Sequence, residues 1–117
     1  MKTIAVYGSL KAGRYNHGIL KGSFYLGTTK VRGTLYLVSS YPALIEEGDN
    51  EYDAEVYEVP EDIYHSVRGM ELGAGYKELE VTCLLTGTLL TIDAIVYYAD
   101  TYLEQRCKDR YKVISLY

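Results

Sequence analysis

Short apolar stretches alternate along the chain with polar, glycine-marked joints. Thr3-Ile4-Ala5-Val6-Tyr7 is continuous, rich in β-formers, and stops at Gly8-Ser9, which predicts a buried strand entering a tight loop. Lys11 to Gly18 is polar, and Asn16 is placed to cap a short helix near His17–Lys21. Phe24–Gly27 and Val31–Val38 read as strands. Ser39-Ser40-Tyr41-Pro42 reads as a loop, Ala43–Ile45 as a brief apolar run, and Glu46–Asn50 as an acidic turn around Gly48. In Tyr52–Val59, Tyr52, Ala54 and Val56 alternate with Asp53, Glu55 and Tyr57, the pattern of a half-exposed strand. Pro60 opens a helix with Glu61 and Asp62 in its first turn, where acidic side chains suit the dipole. Ile63, Val67 and Met70 give it a narrow apolar stripe, broken up by Gly69, Gly73 and Gly75. Tyr76–Leu85 is a strand with Val81, Cys83 and Leu85 on one face, and Thr86-Gly87 signals a two-residue turn into a returning strand, Thr88–Ala99. A short helix from Asp100 to Cys107 and a β-leaning Tyr111–Leu116 finish the chain. About six strands joined mostly by short turns predict a closed or nearly closed barrel with attached helices.

Composition narrows the class. The 117 residues make one domain, 1–117, and 48% hydrophobic with 24% charged residues exclude disorder as the main state. The apolar runs Thr3–Tyr7 and Ile92–Ala99 fall far short of the ~20 residues of a membrane span. No signal-like segment opens the chain, so a cytoplasmic protein with no membrane partner is expected. A net charge of −4 disfavours nucleic acid as a partner. The positives Arg106, Lys108, Arg110 and Lys112 are offset by Glu104 and Asp109 and read as a solvated face. Cys83 and Cys107 form no disulfide framework, and His17 and His65 have no ligand partners at helical spacing, so no metal is expected. With 14 tyrosines against one Phe and no Trp, tyrosine must do the core work. Its hydroxyls must then reach the surface, a backbone group or a pocket.

Two places hold candidate chemistry. Tyr7-Gly8-Ser9-Leu10 ends a strand in a turn where backbone N–H groups can cradle an anion, or it is an ordinary strand-to-loop turn. It lacks the Walker pattern of a phosphate loop. Glu71 ends the apolar helix between Met70 and Leu72. Apolar surroundings raise a carboxyl pKa and would suit it to carry a proton near neutral pH; the other reading is a surface glutamate in a helix-ending turn. Ser9 with His17 or His65 has no third member for a hydrolase triad. Glu46-Glu47 and Glu61-Asp62 read as solvated pairs, and Glu78 and Glu80 as an exposed strand face.

The order of short motifs carries more than any one of them: Val6-Tyr7-Gly8-Ser9-Leu10, Gly13-Arg14-Tyr15-Asn16-His17, Gly33-Thr34-Leu35-Tyr36, Tyr41-Pro42-Ala43-Leu44, Ala54–Val59, Met70-Glu71 before Gly75-Tyr76, and Ala94-Ile95-Val96-Tyr97. From Thr3 to Tyr98 this resembles the γ-glutamylcyclotransferase-like, or AIG2-like, family. The resemblance implies an α+β fold, a small mixed β-barrel with short helices packed outside and a pocket at one end. It implies that Tyr7, Gly8, Ser9 and Leu10 hold a γ-glutamyl group and that Glu71 is the general acid/base. Tyr76 and Tyr97 are expected as pocket aromatics, or else as core. The usual Leu-Asp-x-x-Glu-Gly around the glutamate is changed: Val67 and Arg68 stand for Leu-Asp, and Leu72 for Gly. Arg68 lies either on the face of Glu71, lowering its pKa and attracting an acidic ligand, or in solvent. The activity implied is cyclisation of a γ-glutamyl amide or amine to 5-oxoproline, with neither metal nor organic cofactor. A binding module without turnover and an interaction protein without a working pocket are the other readings.

Overall fold

The computed structural model describes residues 1–8, 10–14, 16–38 and 41–110. The loop expected at Ser39-Ser40 and the strand at Tyr111–Leu116 lie outside them. Five strands form one sheet: β1 (Lys2–Val6), β2 (Phe24–Val38), β3 (Tyr41–Val59), β4 (Tyr76–Leu84) and β5 (Thr91–Ala99). Two helices, α1 (Glu61–Gly73) and α2 (Thr101–Arg110), and a short 3-10 turn at His17–Leu20 complete the fold. Strand order is β2-β3-β1-β5-β4, with β1 parallel to β5 and every other pair antiparallel.

The central place of β1 follows from its unbroken apolar run, which suits a strand covered on both faces. Ala5 and Tyr7 join Val31, Leu35, Leu44, Ala54, Val56 and Val96 in the core enclosed by the curved sheet. Ile4 and Val6 face the other way, toward Val67 and Tyr64 of α1, with Tyr57, Val59 and Tyr97. A third cluster, Ala43, Ile45, Ala99, Leu103 and Cys107, seats α2. The sheet curls until its edges meet, where the Thr86 N–H donates to the Thr28 carbonyl (2.8 Å) and Thr29 Oγ1 to the Leu84 carbonyl (2.7 Å). No ladder joins β2 to β4, so the barrel stays open and is one only loosely.

Several expected elements merge. The two strands expected in 24–38 are one, with a bulge between Tyr25 and Gly27. Tyr41-Pro42 and the acidic turn belong to β3, but register jumps there: Gly33 faces Asn50 while Thr34 faces Ile45, so residues 46–49 bulge out. Gly33 permits the kink with φ +148, and a Cβ there would lie 2.2 Å from the Ile45 carbonyl oxygen. Glu46 and Glu47 are then paired at the surface with Lys77 and Lys108. Helix α1 runs through Gly69 to Gly73, and the β4–β5 connection takes residues 85–90 rather than two. Among the described residues the strands therefore number five, where about six were expected along the whole chain.

Six of the described tyrosines are core residues. Tyr7, Tyr52, Tyr57, Tyr64, Tyr97 and Tyr98 are all buried. The Tyr98 hydroxyl donates to the Arg32 carbonyl (3.0 Å), and that of Tyr52 accepts the Leu35 N–H (3.2 Å).

Candidate active site

Where β1 ends, the chain turns at Gly8, and the Lys11 N–H closes the turn on the Gly8 carbonyl at 3.0 Å. The next residues are tied to the sheet. Glu55 Oε1 accepts the Ala12 N–H (2.7 Å) and the Tyr57 hydroxyl (3.0 Å), and His17 Nδ1 lies 2.8 Å from the Leu10 carbonyl. Gly8 is not in the left-handed region, so glycine is required there for space instead. A Cβ on it would stand 3.1 Å from Pro42 Cγ, tighter than ordinary contact. Ser9, expected in the cradle, lies outside the described residues. Asn16, expected as a helix cap, makes no side-chain cap bond.

This turn borders a cavity of about 310 Å³. Tyr7, Gly8 and Leu10 line it from β1 and the turn, Tyr41 and Pro42 from β3, and Met70, Glu71 and Ala74 from the end of α1. Tyr76, Tyr97 and Leu103 close it from β4, β5 and α2, and Asn16 from the loop. Six of the seven residues expected from sequence thus share one space. Asn16, Pro42, Met70 and Leu103 were not anticipated. Asn16, Pro42 and Met70 carried a signal, since they lie in three of the ordered motifs, and Leu103 carried none.

Glu71 is the one carboxylate among the described residues of this lining. Burial alone pushes its carboxyl from the ordinary 4.5 up to about 7. The apolar setting differs in origin from the expected one. Leu72 is exposed, and the surroundings come from Met70 and from residues remote in sequence, Val6, Tyr97 and Leu103. Arg68 does not line the cavity. Its Nε donates to Glu78 Oε1 at 3.1 Å, so the attraction of an acidic ligand expected for an inward Arg68 does not follow.

The tyrosine tips are committed. Tyr7 donates to the Tyr97 carbonyl (2.6 Å) and accepts the Leu44 N–H (3.2 Å), joining β1, β5 and β3. Burial, helped by neighbouring Tyr76, raises its phenol well above the usual value. Tyr76 donates to the Pro42 carbonyl (2.8 Å), and Tyr97 to Glu78 Oε2 (2.9 Å). Tyr76 and Tyr97 are both among the residues lining the cavity, while both hydroxyls have protein partners.

Glu78 corrects the sequence reading of an exposed face. Its carboxylate also accepts the Tyr64 hydroxyl at 2.6 Å, giving it three donors. Partial burial pushes its carboxyl up, but those hydrogen bonds outweigh burial and hold it below 4.5. The signal available in sequence was Tyr64 and Arg68 at i and i+4 on α1, one helix face needing a partner.

Among the described residues no group of three or more His, Cys, Asp or Glu side chains is arranged to hold a metal ion. None of their helices is long and apolar enough to cross a membrane.

Known proteins are similar to this chain in sequence and fold. A relative from Pyrococcus horikoshii, whose γ-glutamylcyclotransferase name is provisional, is 35% identical over 79 residues, 68% of this chain and 67% of that one. Its crystal structure superposes with a TM-score of 0.74, covering 98% of this chain and 86% of that one at 26% identity. An AIG2-like protein from Mus musculus superposes with a TM-score of 0.80 over 100% of this chain and 88% of its own, at 21% identity, a likeness of fold. The family model described as gamma-glutamyl cyclotransferase, AIG2-like, matches residues 4–114. The chain belongs to that family.

Proposed function

We propose that the protein is an enzyme that cyclises a γ-glutamyl amide or amine to 5-oxoproline and releases the free amine. The observation that carries this reading is Glu71: a carboxyl raised to about 7 by burial, in the same cavity as the Tyr7–Gly8 turn. In such a substrate the α-amine and the γ-carbonyl belong to one molecule, so catalysis is mainly a matter of folding it into the attacking conformer. The amine nitrogen bonds to the γ-carbon, and Glu71 takes the proton that the nitrogen loses. The bond from the γ-carbon to the departing nitrogen then breaks, and Glu71 returns the proton to that nitrogen. A carboxyl poised near neutrality does both jobs. Backbone N–H groups of the turn, Ser9 included, are proposed to hold the α-carboxylate or the developing oxyanion. The wall formed by Val38, Tyr41, Pro42 and Leu103 is apolar apart from one phenol and suits an uncharged hydrocarbon part on the amine. No metal or organic cofactor enters this scheme. Buried, unpaired Cys83 and Cys107 accord with the cytoplasmic setting expected from sequence.

The test is calorimetric titration with 5-oxoproline, followed by crystallography of the complex. Product density against Gly8 and Glu71, with amine release from γ-glutamyl amines in a parallel assay, is the expected result. Binding without release of any amine would leave a small-anion binding module in its place. Absence of both would end the reading.

A further inference from the structure

Arg68 precedes Glu71 by one helical turn on α1, and residues so spaced are neighbours on a helix surface. A guanidinium beside Glu71 would favour its charged form and spoil it as a proton carrier near neutrality. Arg68 is instead bonded across to β4, where Glu78 Oε1 accepts its Nε at 3.1 Å. The other oxygen of Glu78 accepts the hydroxyls of Tyr64 from α1 (2.6 Å) and Tyr97 from β5 (2.9 Å). Three donors from two elements fix this carboxylate, and its side chain is only 22% exposed. The groups that line the cavity with Glu71 are then uncharged, among them Tyr7 just after β1, Tyr76 from β4, Tyr97 from β5 and apolar Leu103 from α2.

We propose that Glu78 is a positioning residue for the reaction: it holds the Arg68 guanidinium against β4 and away from Glu71, and through Tyr97 it fixes one wall of the cavity. This rests on the reading of Glu71 as proton carrier. It gives a role to two departures from the ordinary reading, an arginine where the family pattern has aspartate and a strand glutamate that is not solvated. The pair brings one charge of each sign, so it adds no net charge beside the cavity. Without Glu78, Arg68 is free to turn along its own helix to Glu71.

The experiment is to titrate the Glu71 side-chain carboxyl by carbon-13 NMR in the wild type and in Glu78→Gln, Arg68→Gln and the double variant. Burial is expected to place the wild-type midpoint at about 7. In Glu78→Gln it falls by about one pH unit or more, as for a carboxylate gaining an arginine neighbour. The double variant returns it to the wild-type position, because no cation remains to be held off. A Glu78→Gln midpoint equal to wild type, or a double variant that stays low, overturns the proposal. The second result means that water, not Arg68, reached Glu71. Should Glu78→Gln not fold, Arg68→Gln decides alone. Its midpoint stays or rises under the proposal, and falls if the bridge merely packs α1 against β4 and keeps water out. The titration reads Glu71 whether or not the protein turns over a γ-glutamyl amine. Failure of every such substrate therefore ends the cyclotransferase reading without touching this result, and an unmoved midpoint ends the role of Glu78 without touching turnover.

Discussion

Glu71 and Glu78 stand on either side of one short connection between α1 and β4, yet the fold treats them in opposite ways. Glu71 faces a cavity whose other described walls offer it no charge, and burial drives its carboxyl up to about 7. Glu78 is partly buried but accepts three hydrogen bonds, and its carboxyl ends below the ordinary value. Burial acts on both; what differs is the supply of donors. A carboxylate with full partners is a strut, and one without them gives and takes protons near neutral pH. Tyr97 links the two, since it lines the Glu71 cavity and its hydroxyl bonds Glu78.

The Glu71 side breaks most completely at Gly8→Val. A Cβ there meets Pro42 at 3.1 Å, and the two further methyls have the cavity to fill. Binding of 5-oxoproline in calorimetry should vanish, while wild-type affinity would move the cradle elsewhere.

Stability separates the glutamates next. The native state holds the Glu71 proton more tightly than the unfolded chain does, so stability falls as pH rises from about 4.5 to about 7 and stays lowered above. Glu71→Gln should therefore stabilise the protein at pH 8 by roughly 1–3 kcal/mol and leave it nearly unchanged at pH 4, read by denaturant melts. For Glu78 the sign reverses. Its lowered pKa contributes stability above the ordinary carboxyl range that is lost as pH falls through the native value. Glu78→Gln should cost about 2 kcal/mol at pH 7 and progressively less below pH 4, since it weakens charge-assisted bonds to three donors. Equal effects at both pH values, for either variant, would erase the contrast.

The smallest effect belongs to Tyr76→Phe. Its hydroxyl serves the Pro42 carbonyl, so the loss should appear as about 0.5–1.5 kcal/mol of stability, with affinity for 5-oxoproline retained. Weakened affinity at unchanged stability would return that hydroxyl to the ligand.

The contrast also marks where the sequence could be read and where it could not. β1, α1 and the two-faced burial of Ile4–Val6 were legible because a continuous apolar run and a Pro-opened amphipathic stretch are local signals. The acidic stretch 46–50 was read as a turn, since sequence shows its polarity but not the register jump that lets a strand bulge through it. Glu71 was legible from its motif, although the apolar surroundings that raise its pKa come from β1, β5 and α2 rather than from its exposed neighbour Leu72. Glu78 shares period-two alternation with Glu80, and alternation alone makes both solvated. Only the docking of α1 over the start of β4 covers one and leaves the other exposed, and that is a tertiary fact.

The most direct measurement is the rate of 5-oxoproline release from a γ-glutamyl amine by wild type and Glu71→Gln at the same pH, with both proteins shown to be folded. The account predicts a fall of at least ~100-fold in the variant, the scale of losing general acid/base help, with product binding retained. Equal rates would contradict it.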